Sequence, residues 1–324
     1  MTRPRHTVLY THGGGRLGNQ LLRFLHWAAW AREHEGIVEV INLGFWPYAE
    51  LFSPWLECPG CVYPVRPHLL DMVARKWRRL PRPFLTYTAW RMQRLGHAVG
   101  HFWPGSQAIA LNDRLGEAID LEQPEFFSRI ESRRLTTCAG WKISGWNFLA
   151  RHQAALCDFF RPAAEFDRRA SDFMGPLRQQ HDVVAGVFIR QGDYREWHDG
   201  RFCFSSASYA GWIRQLLDLH PGKRLAVVIA SDQPQDRAVF AGLPCHFASG
   251  SVNRGGHWFE SFVELSRCDF VLSPPSTFGA TAAFLGSVPL WPLLAPGQTL
   301  AFNQIMADAL TDAAAHPVFG LSVK

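Results

Sequence analysis

The sequence predicts an α/β fold built on parallel sheets, and three observations carry that expectation. Short apolar runs of strand length alternate with helical patterns along the second half. The same rhythm opens the chain, where an apolar run meets a glycine cluster and then an amphipathic stretch. Composition is that of a globular protein, with 47% hydrophobic and 19% charged residues. Alternation of this kind places helices on both faces of a mostly parallel sheet. A chain of 324 residues is long enough for two such units. We therefore expect two Rossmann-like domains facing a cleft, residues 1–165 and 166–324.

The elements follow in order. Residues 7–11 (TVLYT) read as a buried strand, and Leu21, Leu22, Phe24, Leu25, Trp27 and Ala28 recur at helical spacing through 19–34. Residues 37–43 form a second strand. Residues 50–110 are irregular and rich in Pro, Trp and Arg. Between Arg66 and His97 stand eight Lys/Arg and one Asp, interleaved with Trp77, Phe84, Tyr87 and Trp90. That pattern suits a solvated helical face, and equally a basic-aromatic surface for an anionic membrane leaflet or a lipid-linked pyrophosphate. Residues 145–160 lead into a helix, and a domain junction is expected near 160–180. Then come strand 183–189, helix 206–217, strand 224–230, helix 233–240, strand 243–248, helix 258–266, strand 269–272, helix 276–285 and strand 288–290.

Charge and cysteines narrow the function classes. The net charge of +5 suits an anionic small ligand and is too small to imply nucleic acid. No run reaches the roughly 18 apolar residues of a membrane span, and the first residues do not read as a signal peptide, so a cytoplasmic protein is expected. A peripheral contact with the cytoplasmic membrane face would use the basic-aromatic stretch. The seven cysteines are odd in number and scattered, as reduced thiols are. Cys58-Pro59-Gly60-Cys61 has no second pair at zinc-site spacing.

Four loops after expected strands could bind a ligand, because ligands sit beyond the carboxyl ends of parallel strands. The first is Gly13-Gly14-Gly15-Arg16-Leu17-Gly18-Asn19-Gln20, whose glycines and helix start suit a phosphate. Its GxGxxG pattern admits an NAD(P)-dependent oxidoreductase, but that reading wants an acid ending the second strand; Ile41-Asn42-Leu43 stand there and Glu39 is mid-strand. The second is Arg190-Gln191-Gly192-Asp193, where a guanidinium fork could grip a diphosphate and Asp193 could orient it. The third is Ser231-Asp232, whose carboxylate could accept from ribose hydroxyls or guanine N–H groups or simply cap a helix. The fourth is Ser276-Thr277-Phe278, which opens a helix and suits either a phosphate or a plain cap.

Taken in order, these motifs resemble the α-1,2-fucosyltransferase family. The family carries GRLGNQ, matched by Gly15 to Gln20, and HxRRGDY, matched by Phe188 to Tyr194. It carries a strand followed by Ser-Asp, matched at Ser231-Asp232, and an acidic residue, then Leu-x-x-Met-Ser-x-Cys-Asp/Lys, a strand and a Ser/Thr-Phe helix start, matched from Glu260 to Gly279. Gly145-Trp146 matches the family's Gly-Phe/Trp step before the second domain. The resemblance runs along nearly the whole chain, weakly over 45–135. It implies a GT-B architecture with an acceptor-side first domain and a GDP-sugar-binding second domain. It implies inverting transfer from GDP-fucose to an oligosaccharide or lipid-linked glycan, with no metal and no further cofactor. Arg190 would take the charge growing on the departing GDP, with Asn19 and Asp193 beside it. Arg16, Gly18, Ser231, Asp232, Ser276, Thr277 and Phe278 would bind the donor. Three departures stand out: Phe188 replaces the family's His, Gln191 its second Arg, and Gly279 to Phe284 its tryptophan-rich run. They leave open an inactive nucleotide-sugar-binding relative. The residues do not single out a general base; His12, Glu196, His198 and Asp199 are the candidates.

Overall fold

In a computed structural model, residues 6–12, 15–53, 61–62, 98, 104–111 and 118–316 are described. The chain forms two compact units, Met1–Phe159 and Phe160–Ser322. The basic-aromatic stretch and Cys58 lie outside the described residues.

The first unit begins with β1 (His6–His12), α1 (Leu17–Glu33) and β2 (Val38–Asn42). It continues with β3 (Cys61–Val62), β4 (Ser106–Leu111), β5 (Ile119–Asp120), α2 (Pro124–Glu131), β6 (Leu135–Gly140), β7 (Ile143–Ser144) and α3 (Trp146–Phe159). Its main sheet has the order β3-β2-β1-β6-β4, every pair parallel. From β1 the chain steps outward through β2 and β3, then returns to the other side of β1, so the order reverses between β1 and β6. Helix α1 is buried on nearly every side: Trp27, Trp30 and Phe24 are fully enclosed. Gln20, Arg23 and His26 are buried along with them.

The second unit contains α4 (Ala164–Gln180), β8 (Val183–Ile189), α5 (Ser206–Leu219), β9 (Leu225–Ser231), β10 (Cys245–Phe247), α6 (Trp258–Leu265), β11 (Phe270–Ser273), α7 (Thr277–Gly286), β12 (Leu290–Pro292) and α8 (Thr311–Ala315). Its sheet has the order β10-β9-β8-β11-β12, again all parallel. Strands β8 and β9 are apolar almost throughout because helices cover both faces. Their register runs from Val183↔Leu225 to Ile189↔Ser231, which sets Arg190 level with Asp232. The order reverses between β8 and β11, and a crevice opens beyond the carboxyl ends of strands at such a point.

One expected element differs. Residues 233–240 form no α-helix; only Arg237–Phe240 turn, as a 3-10 helix. Side chains hold the preceding backbone in another conformation. The Gln235 N–H donates to Asn253 Oδ1 (2.9 Å), and Asn253 Nδ2 donates back to the Gln235 carbonyl (2.7 Å). In addition, β4, β6, α2 and α4 form where sequence periodicity had marked no element; α4 lies within the stretch read as a junction.

Candidate functional site

The second unit gathers three of the four loops at the reversal between β8 and β11. Arg190 follows β8 directly. Its Nη2 meets Asp193 Oδ1 at 2.6 Å and its Nη1 meets Asp232 Oδ2 at 2.9 Å. Its Cζ lies 5.4 Å from the Tyr194 ring centroid. The fork is thus held on two edges and against one face. Its side chain is 14% exposed and that of Asp232 is 15%, whereas Asp193 is 53% exposed. The Arg190–Asp232 pair therefore has the drier setting and the stronger hold.

Asp232 also shapes the loop. Gln191 N–H donates to its Oδ1 (2.9 Å) and Gly192 N–H to its Oδ2 (3.2 Å). Three donors on one carboxylate fix both the turn and the guanidinium. A side chain at Gly192 would lie 2.8 Å from Asp232 Oδ2, so only glycine lets the turn close on the carboxylate. Ser231 Oγ, half of the Ser-Asp motif, donates to the Gln233 carbonyl and accepts from Gln235 Nε2. It belongs to the scaffold under the loop.

The two substituted positions have structural partners. Phe188 is buried and stacks on Phe278, with ring centroids 4.8 Å apart at 30°; Phe278 also meets Phe262 edge-on at 5.2 Å. Gln191 donates through Nε2 to the Phe204 carbonyl (2.8 Å) and accepts at Oε1 from Gln235 Nε2 (2.8 Å). Ser206 Oγ completes the network on Gln235 Oε1. Gln191 therefore braces the loop after β8 against the start of α5.

Helix α7 begins beyond β11. Ser276 caps it, its Oγ accepting from the Phe278 N–H at 3.3 Å. Thr277 and Phe278 form the first turn, the positive end of the helix dipole, which favours an anion. Tyr194, which sequence reasoning passed over, joins this helix to the arginine: its hydroxyl donates to the Pro275 carbonyl. Burial pushes its pKa up to about 12, so it stays a donor at neutral pH. Its position within the Gly-Asp-Tyr motif was the available signal.

The remaining candidates lie elsewhere. Glu196 and His198 are exposed residues of the segment after Asp193, and His198 and Asp199 both hold left-handed backbone (φ 48° and 54°). Non-glycine residues adopt that region at a cost. In the first unit, His12 ends β1. Gly15 takes a φ of 75°, and a side chain there would strike Asn19. Arg16 and Asn19 are exposed at the start of α1, and Gly18 is buried. Gly13 and Gly14 lie outside the described residues. Asn42, where a dinucleotide site wants its acid, is buried and accepts from the Phe45 N–H (3.1 Å). Among the described residues no cluster of His, Cys, Asp or Glu could hold a metal ion, and no helix is long and apolar enough to cross a membrane.

No family model and no curated protein matches the chain. Solved structures do. An arginine-to-lysine mutant of Arabidopsis thaliana FUT1 in complex with GDP aligns over 94% of this chain and 74% of its own, at TM-score 0.57 and 15% identity. NodZ α-1,6-fucosyltransferase soaked with GDP-fucose aligns over 91% of this chain and 97% of its own, at TM-score 0.50 and 14% identity. At these identities the likeness establishes the fold alone, α/β with parallel sheets.

Proposed function

We propose that the protein is an inverting, metal-independent glycosyltransferase that moves L-fucose from GDP-fucose to a hydroxyl of an oligosaccharide or lipid-linked glycan. The observation that carries this reading is the Arg190 fork, held by Asp193 and Asp232 where the second sheet reverses its strand order. The order of the sequence motifs supports it. So does the fold shared with FUT1 and NodZ, whose structures were solved with GDP and with GDP-fucose.

In this reading the second unit is the donor side and the first the acceptor side. The diphosphate meets Arg190 and the N-terminus of α7, where Ser276, Thr277 and Phe278 stand. The second N–H of Arg190 Nη1 meets a phosphate oxygen while Asp193 and Asp232 keep the fork in place, and the open lone pair of Asp232 Oδ1 accepts from a nucleoside hydroxyl. Positive charge fixed at the departing oxygen lowers the barrier without reorganisation. The exposed Arg16 and Asn19 are further donor contacts. The acceptor hydroxyl attacks the anomeric carbon, the bond to the GDP oxygen breaks, and the acceptor proton passes to a base or solvent.

Thermal denaturation with GDP, GDP-fucose, GDP-mannose, UDP-glucose and NAD, with and without a chelator, tests the donor. A ligand at a hundredfold excess over Kd adds about 2.7 kcal/mol. The expected result is a chelator-insensitive rise with GDP and GDP-fucose. A response to NAD alone, or to no GDP compound, overturns the reading.

A further inference from the structure

The first unit has its own strand-order reversal, between β1 and β6, and an unpaired buried cation stands beside it. Arg23 of α1 is only 6% exposed. Its Nε and Nη1 are fully withdrawn from solvent and unbonded. Among the described residues it makes no ion pair or hydrogen bond. Burial lowers its pKa, and the one opposing influence is the Tyr10 hydroxyl rather than a carboxylate. Tyr10 itself is fully buried and donates to the Gly140 carbonyl (2.6 Å) at the carboxyl end of β6. A guanidinium withdrawn from water without a partner is costly, and Arg is suited to forked contact with a carboxylate or phosphate.

The next residue supplies a platform. Trp141 follows Gly140 and is 44% exposed, one of four large apolar side chains so exposed among the described residues. The Arg23 Cζ lies 5.8 Å from its ring centroid. An exposed indole presents a flat apolar face with a polar edge, which suits the C–H face of a sugar ring. The cation beside it suits an oxyanion carried on that ring.

We propose that Arg23 and Trp141, at the carboxyl end of β6, form a binding site for a sugar bearing an oxyanion, a uronate carboxylate or a sugar phosphate. Trp141 stacks the ring and Arg23 takes the oxyanion through Nη2, the guanidinium nitrogen not among those withdrawn from solvent. The site lies in the first unit and needs no donor, so its test is independent of the transfer reaction.

Calorimetric titration of the full chain with D-glucuronic acid, D-glucose, glucose 1-phosphate and inorganic phosphate decides the matter. The expected result is that glucuronic acid or glucose 1-phosphate binds about ten- to hundredfold more tightly than glucose. Whichever of the two wins identifies the oxyanion. Arg23→Met abolishes the preference over glucose, while Trp141→Ala, a surface change that leaves the melting temperature in place, weakens both sugars. Rising salt weakens the acidic ligand alone. Equal binding of glucose and the acidic sugars, no binding of any sugar, or an unchanged preference in Arg23→Met overturns the proposal. Inorganic phosphate binding as tightly as glucose 1-phosphate and insensitive to Trp141→Ala also overturns it, because the ring would then contribute nothing.

Discussion

Replacing Arg190 by lysine keeps the charge and removes the fork, which makes it the sharpest test of the donor site. The guanidinium reaches Asp193 through Nη2 and Asp232 through Nη1, two separate nitrogens at 2.6 and 2.9 Å. A single ammonium cannot occupy both positions. The Asp193 contact, with its carboxylate half exposed, contributes little. The drier Asp232 contact is a charge-assisted bond of about 1.5–3 kcal/mol, so Arg190→Lys should lower stability by about 1–3 kcal/mol. If the fork also meets the departing diphosphate, losing one such donor costs about 10²–10³ in turnover. GDP release from GDP-fucose, with a panel of glycan acceptors, reads turnover, and denaturant unfolding reads stability. Turnover within about threefold of wild type, less than about 1 kcal/mol of barrier, would refute the role assigned to Arg190. A loss of stability without a loss of turnover would leave Arg190 a loop brace only.

Other substitutions separate the site from its supports. Asp232→Asn sets an amide N–H₂ against Arg190, Gln191 N–H or Gly192 N–H; a stability loss of about 2–4 kcal/mol is expected in denaturant unfolding, with GDP affinity falling in titrations. Gln191→Ala removes the bonds to Phe204 and Gln235, and should cost about 1–2 kcal/mol in stability while turnover of the folded fraction stays near wild type. Gly279→Ala drives a methyl into the Ser273 hydroxyl, and a melting-temperature drop equivalent to about 1–3 kcal/mol is expected. Glu264, fully buried on α6, has its pKa raised from 4.5 to about 7, first by burial, with Glu260 adding to the rise and the Ser249 bonds and Arg254 opposing it. The folded chain then holds a proton that the unfolded chain has released, so stability falls as pH rises from about 4.5 through 7; Glu264→Gln should flatten that fall and gain up to about 3 kcal/mol at pH 8, read from unfolding curves across pH.

The second unit was largely legible in the sequence because its parallel strands are continuous apolar runs. VVAGVFI became β8 over the expected residues, and α5 and α6 start where expected. The first unit was less so. Strands β4 (SQAIAL) and β6 (LTTCAG) mix polar and small residues, so neither alternation nor an apolar run marks them. Their identity comes from pairing, with β6 seated between β1 and β4. Residues 233–240 failed the other way: local pattern favoured a helix, and the Gln235–Asn253 bonds overrode it. In the site, Arg190 and the strand-end loops could be read from position. That Asp232 clamps Arg190, and that Tyr194 ties it to the start of α7, depends on contacts 41 to 81 residues apart, which no local pattern encodes.

The two departures from the resembled motif bear on how the loop after β8 works. A histidine at 188 and an arginine at 191 would each bring further positive charge beside the diphosphate. Here Phe188 is packed on Phe278, and Gln191 is engaged with Phe204 and Gln235. Neither residue brings that charge, so Arg190 is the one cation of the motif from Phe188 to Tyr194. The burden on that one guanidinium rises, and so does the value of fixing it. Three donors on Asp232, a second carboxylate at Asp193 and the Tyr194 ring all hold the loop and its cation in one geometry. Rigid placement lets one charge act without reorganisation. On this argument Gln191→Arg alone restores no useful charge, because the new side chain starts from the position where Gln191 bonds the Phe204 carbonyl and Gln235. It would instead disrupt the bonds to Phe204 and Gln235, and the expected outcome is a less stable protein with no tighter GDP binding; a gain in GDP affinity measured by titration would show that the loop tolerates a second cation after all.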